Sequence, residues 1–226
     1  VIIPQFESDS PQFSWQDQHW EWLPNRSLWH PDSSSLFLSD VHLGKAEAFQ
    51  RAGINLPQKK SQGQIDGFFA LLQEKKIKEV FILGDLLHGP TTLETQHFLS
   101  LLQSLNHIHF HWILGNHDAR SAHRFGQDIA HFEQTKNLNW NGILLCHEPQ
   151  ECTDSPYICG HIHPGIYLPL GAKQRARVAC GMLSKNQLVL PAFGSLTGLH
   201  IQKPSTGITY YIFEANQVLK CGFKYS

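Results

Sequence analysis

Apolar residues in this chain come in short blocks cut off by small or polar turns, and the character of the blocks changes near residue 125. In the first half, Leu36 to Leu38, Glu79 to Leu83 and His109 to Leu114 read as buried strands. Each stops at a polar or glycine pair: Ser39-Asp40, Gly84-Asp85 and Gly115-Asn116. Two helices are predicted between them. Gln58 to Lys76 follows Pro57 and places Ile65, Phe68, Phe69, Leu71 and Leu72 on one face. A second helix starts at Thr91 or Thr92, with Glu94 placed for a capping box, and runs through Gln103. Upstream, Pro31-Asp32-Ser33-Ser34 predicts the turn of a hairpin joining Ser27–His30 to Leu36–Leu38.

Beyond residue 125, short strands are predicted at Ile143–Cys146, Tyr157–Cys159, Arg177–Leu183, Leu188–Leu190, Ile208–Phe213 and Val218–Phe223, separated by Gly, Pro and Asn turns. A βαβαβ half followed by a nearly all-β half predicts an α/β (α+β) fold of two sheets packed face to face, with helices outside. The 226 residues suit a single domain over 1–226, with residues 1–35 as an N-terminal hairpin packed on it.

Composition narrows the function classes. Hydrophobic residues make up 41% of the chain and aromatics 11%, enough for a full core. Eighteen basic and nineteen acidic residues leave a formal charge of −1, so the overall field does not favour a general nucleic-acid or membrane binder. Five cysteines without a CxxC pair argue against a disulfide framework, and Val1 to Asp9 lacks a basic start and apolar block. A reduced, cytoplasmic location with no membrane partner is the expectation. The unusual number is 15 histidines.

Several of these histidines share one setting: an apolar strand ends and a turn carrying His, Asp or Asn follows. The segments are Leu38-Ser39-Asp40-Val41-His42, Leu83-Gly84-Asp85, Leu114-Gly115-Asn116-His117-Asp118, Leu145-Cys146-His147-Glu148 and Cys159-Gly160-His161-Ile162-His163. Imidazoles, carboxylates and an amide oxygen, with no thiolate motif, suit a pair of divalent transition metals. Asp40-x-His42 and His161-x-His163 each space two ligands so that an extended segment points both to one side.

This ordered set resembles the calcineurin-like metallophosphoesterase superfamily. The stretch from Asp40 to Pro57, His147-Glu148-Pro149, Gly160 to Pro164 and Leu190 to Gly198 are similar, within it, to the bacterial ligase-associated DNA damage response endonucleases or phosphoesterases. The resemblance implies a four-layer αββα sandwich of two mixed sheets and a centre of two divalent metal ions, manganese first, iron or zinc next. Asp40, His42, Asp85 and His163 would hold one ion; Asp85, Asn116, His147 and His161 the other, with Asp85 bridging. A hydroxide between the metals would attack phosphorus, His117 would protonate the leaving group, and Asp118 would orient His117. The implied function is a dinuclear-metal phosphodiesterase, a nuclease of DNA repair linked to an ATP-dependent DNA ligase and a helicase. The alternatives are a small-nucleotide or cyclic-nucleotide phosphodiesterase and a non-catalytic scaffold; a scaffold typically loses ligands, and here every motif position is intact.

Lys45, Arg51, His88, Arg120 and Arg124 are candidate substrate contacts around these motifs. Lys173, Arg175 and Arg177, offset by no nearby acid, read as a solvated hairpin, with a grip on a nucleic-acid backbone as the alternative. Cys146 and Cys159 should face away from the site as small hydrophobes. Phe193-Gly194-Ser195 should close over the cleft or pack beneath it, and His107, His109 and His111 should form the polar face of an edge or surface strand.

Overall fold

The computed structural model describes residues 2–7, 11–54, 58–89, 91–118, 122, 125–151, 153–171, 174–214 and 216–225. Five strands come first: β1 (Ile2–Glu7), β2 (Gln12–Trp15), β3 (Gln18–Trp22), β4 (Leu28–His30) and β5 (Ser35–Leu38). Helices α1 (Lys45–Arg51) and α2 (Gln58–Glu74), strand β6 (Glu79–Leu83), helix α3 (Leu93–Ser104) and strand β7 (His109–Ile113) follow. Then come β8 (Phe132–Thr135), β9 (Leu138–Trp140), β10 (Ile143–Leu145), β11 (Tyr157–Cys159) and β12 (Pro164–Gly171). The last strands are β13 (Gln174–Leu183), β14 (Gln187–Val189), β15 (His200–Ile201), β16 (Thr209–Glu214) and β17 (Gln217–Tyr225).

These strands form two mixed sheets. The seven-stranded sheet runs β2-β3-β4-β5-β6-β7-β8, parallel from β5 to β8. The ten-stranded sheet runs β1-β17-β16-β13-β14-β11-β10-β9, with β12 and β15 attached beside β13. Trp20, Trp22, Phe37, Phe81 and Ile113 of the first sheet interdigitate with Leu145, Ile158, Leu188, Tyr211 and Phe213 of the second. The opposite face of the first sheet buries Leu36, Val80, Ile82, Phe110 and Trp112 under Ile65, Phe68, Phe69 and Leu72 of α2 and Phe98 and Leu102 of α3. The expected sandwich is therefore present, but among the described residues its helices lie on one side. The far face of the ten-stranded sheet shares its apolar cluster with Ile166 and Leu168 of β12 instead. No described helix is long and apolar enough to cross a membrane.

Three local expectations change. The N-terminal segment supplies strands to both sheets: β1 pairs with β17, while β2 to β4 extend the other sheet, joined to β5 by the expected turn. Strand β7 lies between β6 and β8 rather than at an edge, and its His111 stacks on Phe81 with ring centroids 4.7 Å apart. The cap of α3 is Thr92, whose capping-box partner is Thr95; Glu94 instead accepts the Gly44 N–H and so joins α3 to the start of α1.

The contact between sheets is tight where Trp22 meets β13. A Cβ on Gly181 would lie 2.6 Å from the Trp22 ring, which is fully buried. Gly181→Ala should therefore overpack the core and cost about 1–3 kcal/mol, lowering Tm by roughly 2–12 °C for a domain of this size. Gly67→Ala, on the exposed side of α2 where a Cβ meets nothing within 4 Å, should raise stability by about 0.5–1 kcal/mol. Thermal melts of the two variants should move in opposite directions.

Candidate metal centre

The five motif turns converge at the seam where the sheets meet. Ser39 bridges to Ala192, and the Asp40 and His42 amides donate to the Gly84 and Asp85 carbonyls at 3.1 and 2.9 Å. The Phe193 and Gly194 amides donate to the Ser39 and Asp40 carbonyls. The Phe193–Ser195 loop thus packs beneath the site rather than over it, and Gln64 of α2 holds it through the Phe193 carbonyl and the Ser195 amide.

Two ligand groups result: Asp40, His42 and His163, and Asp85, His147 and His161, each with its ligand atoms within 4.8 Å of one another. Asn116 joins the second, its Oδ1 3.0 Å from His147 Nε2, which lies 3.1 Å from His161 Nδ1. Asp85 falls in the second group, with its Oδ1 3.5 Å from His147 Nε2; it also feels the field of His42 from the first.

The backbone is bent to make this possible. Asp40, His42, Asp85, His161 and His163 all take positive φ, between 47° and 68°. For residues with a Cβ such conformations cost on the order of 1 kcal/mol or more, and they gather at functional sites. The glycines leave the space. A Cβ on Gly84 would sit 2.0 Å from His147 Nδ1, one on Gly115 2.2 Å from Asp85 Oδ1, and one on Gly160 1.6 Å from Ser39 Oγ.

Hydrogen bonds fix Asp40 and His147 and leave other ligand atoms open. The Ser39 hydroxyl lies 2.5 Å from Asp40 Oδ2 and 2.8 Å from the Leu83 carbonyl, and the His161 amide donates to the same Oδ2. Asp40 Oδ1 is left 3.1 Å from His163 Nε2 without hydrogen-bond geometry. His147 Nδ1 lies 3.0 Å from the Leu83 carbonyl. Nδ1 is the donor there, which turns Nε2 into the site. Both nitrogens of His42 are buried and unpartnered. Burial, then Lys45, push its pKa down to about 3, so the ring is neutral. Burial disfavours charge on Asp85 and His147 alike. Their mutual contact outweighs it, holding the Asp85 carboxyl down at about 2 and His147 up at about 9. A neutral imidazole with two orphaned nitrogens, a carboxylate oxygen without a donor and an N/O donor set fit divalent transition metals.

The structure places the other candidates unequally. His117 is 52% exposed; its amide donates to Asp85 Oδ1 at 3.0 Å while its ring Nε2 is 4.0 Å from Asp85 Oδ2. With Ala48, Arg51, His88 and Gly89 it lines an open cleft of ≈ 410 Å³. His88 stands 5.5 Å from His42 and 5.8 Å from His117, centroid to centroid, with its Nδ1 buried and unpartnered. Lys45 opens α1, its amide donating to the His42 carbonyl. Burial lowers its pKa while Asp40 and Asp85 oppose that shift. Arg51 is exposed on the same helix. Arg120, Arg124 and Lys173 lie outside the described residues. Cys146 and Cys159 are buried in the cluster on the outer face of the ten-stranded sheet, and burial raises both thiol pKa values, that of Cys146 to about 11.

Asp118 does not orient His117. Its Oδ2 accepts from the Trp112 indole at 3.1 Å and the Gly115 amide at 2.9 Å, and its Oδ1 accepts from the Leu87 amide at 3.0 Å. The carboxylate pins the turn that carries Asn116 and His117 to the strand behind it and to the Leu87 segment. Sequence gave no signal for the Trp112 or Leu87 contacts, which are made by folding; nor for Gln64. Ser39 stood inside the first motif as a small polar residue ahead of Asp40. Asp118→Ala leaves three buried donors unanswered, each costing about 1–3 kcal/mol. Its Tm should fall well below that of His117→Ala, with metal content falling too; a variant that melts like wild type yet is inactive would return Asp118 to a role in the chemistry.

No curated protein matches this chain. Among solved structures, the crystal structure of the Pseudomonas putida nuclease MPE superposes with a TM-score of 0.75 at 23% identity, covering 96% of this chain and 100% of that one. A protein of unknown function from Aquifex aeolicus aligns over 57% of this chain and 78% of that one, at 19% identity and a TM-score of 0.37, too low to bear on the argument. The family model for calcineurin-like phosphoesterase matches residues 34–187, more than half of the chain and a span that includes the seven candidate ligands. The chain belongs to the calcineurin-like phosphoesterase family and is a metal-dependent phosphoesterase.

Proposed function

We propose that the chain is a phosphodiesterase acting on nucleic acid with two divalent cations, manganese foremost. The observation that carries this reading is the meeting of the two ligand groups at one seam, beside an open cleft with His117 on its wall. The fold it shares with a nuclease supports the choice of substrate. When bound, the cations supply an acidified nucleophile and offset charge on the phosphoryl oxygens.

The chain's own residues do the rest. Asp40 and Asp85 are the carboxylates of the two groups, so two divalent cations leave the centre net positive and attractive to a phosphate anion. The Leu83 carbonyl and the Ser39 hydroxyl hold His147 and Asp40 in place, so little reorganisation is needed as charge develops. His117 has a backbone held by Asp85 and a ring open to the cleft. It can deliver a proton to the departing oxygen of a diester, whose alkoxide is a poor leaving group.

A panel of a chromogenic diester, a monoester, cyclic nucleotides, and single- and double-stranded DNA tests this. Diesters and DNA should be cleaved, chelation should abolish the activity, and manganese should restore it. A clear monoester preference across several leaving groups would count against the assignment. The formal charge of −1 favours a small-nucleotide substrate as the second reading, which cyclic nucleotides cleaved in preference to DNA would establish.

Asp85 and His117 should fail differently. Asp85→Ala should lose metal, activity and thermal stability together, because bound metal stabilises the native state. His117→Ala should keep its metal and Tm while losing about 10²–10⁴ in rate, less for a nitrophenyl diester whose leaving group needs no proton. Metal stoichiometry, melting and rates on good and poor leaving groups separate the two, and metal loss in His117→Ala would undo this division of roles.

A further inference from the structure

We infer that the β12–β13 hairpin is a binding arm for a single strand of nucleic acid, running outward from the metal centre. The inference rests on the nuclease reading for its place in catalysis but makes its own claim about binding.

The arm begins at the centre. Its first residue, Pro164, follows the ligand His163, and β15 ties down this root: Pro164 pairs with His200, whose amide donates to the His163 carbonyl at 3.0 Å. From there β12 and β13 pair in antiparallel register, and the two faces of the ribbon differ. Ile166 and Leu168 point inward and are buried with Cys180, Met182 and Tyr210. On the outward face Tyr167 pairs with Arg177 and Pro169 with Arg175, and all four are exposed. Tyr167, at 47%, is one of the few large apolar side chains left open to solvent among the described residues. The Arg177 guanidinium donates to the Leu199 carbonyl at 2.9 Å, which holds it in place across from Tyr167.

Charge points to a polyanion. Between Asp154 and Glu214 the chain has five Lys or Arg residues and no Asp or Glu. A protein with a formal charge of −1 therefore keeps this segment free of acids, and the arm lies within it. An aromatic ring open for stacking, with arginines beside it on a ribbon, is how sequence-tolerant binding of single strands is built. The bases of a duplex are not available to such a ring. At about 3.3 Å per residue, Tyr167 stands roughly 13 Å along the chain from His163, and Pro169, opposite Arg175, roughly 20 Å. A strand with a phosphate at the centre reaches that far within a few nucleotides. A dimethyl or nitrophenyl diester does not.

The test uses the full metal-loaded chain and three variants, Tyr167→Ala, Arg175→Ala and Arg177→Ala, with the double arginine variant. Binding of fluorescent oligothymidylate, oligouridylate and a duplex is read by anisotropy over a range of salt, and hydrolysis of bis(4-nitrophenyl) phosphate is followed in parallel. Wild type should bind a single strand more tightly than the duplex. The comparison of thymidylate with uridylate tells whether DNA or RNA is preferred. Tyr167→Ala should weaken binding by about 5- to 100-fold, the range for losing one stacked base. Removing both arginines should reduce the slope of log affinity against log salt by about 1.4. Nitrophenyl diester hydrolysis should stay as in wild type. The proposal is overturned if wild type does not bind single strands, if the variants bind as wild type does, if the duplex binds equally well, or if the nitrophenyl activity falls in step with binding. Strands bound through the arm but never cleaved would keep the arm and remove the nuclease reading instead.

Discussion

Asp40 and Asp85 are carboxylates almost sealed from water, at 0% and 2% exposure. An ionised carboxylate withdrawn from solvent costs several kcal/mol unless hydrogen bonds or opposite charge answer it. Much of the site's construction follows from that requirement. One oxygen of each is met by protein donors: the His161 amide and Ser39 hydroxyl at Asp40, the His117 amide at Asp85. The remaining capacity faces imidazoles, His163 at Asp40 and His147 at Asp85, and a divalent cation would answer it from outside the chain. That need gives a physical reason for metal dependence in this chain, apart from its family.

Meeting the requirement takes backbone that would be unfavourable elsewhere. Five ligand residues in the left-handed region, and three glycines whose absent Cβ atoms would overlap Ser39, Asp85 and His147, bring turns from both sheets to within hydrogen-bond distance. The strain persists because the strands behind it are rigid. β5, β6 and β7 lie side by side in parallel register, β10 and β11 do the same in the other sheet, and the interlayer aromatics fix the separation. Asp118 belongs to this support. Its carboxylate links the turn bearing Asn116 and His117 to Trp112 and Leu87, so that the turn is as firmly held as the strands. His117 differs in kind: its amide is fixed and its ring is half exposed, an arrangement suited to a group that must meet a substrate.

Overall charge and local charge give different answers here. The sum near zero argues against a general polyanion binder, yet the segment between Asp154 and Glu214 carries five Lys or Arg residues and no acid. Electrostatic recognition depends on where charges lie within about a Debye length of the ligand, on the order of 10 Å, rather than on the total.

The sequence alone determined the parts of this protein whose physics is local. A strand ending in a small residue and a ligand can be read from a few neighbours, so the five motifs, most of the strands, α2, α3 and the two-sheet class were legible. So was the orientation of Cys146 and Cys159, because alternation along a strand decides it. Tertiary structure decided whatever depends on residues brought together from afar. Trp15, Trp20 and Trp22 fill the space between the sheets because β2 and β3 extend the seven-stranded sheet. Glu94, well spaced for a cap, serves the Gly44 amide because α1 packs against the start of α3. Asp118, adjacent in sequence to His117, turns away because three buried donors behind it each need an acceptor more than an exposed imidazole does. β12, unmarked by a clear alternation and containing Pro164 and Pro169, became a strand by pairing with β13. In each case an unpaired polar group or an uncovered apolar face found its partner at a distance that one-dimensional spacing does not encode.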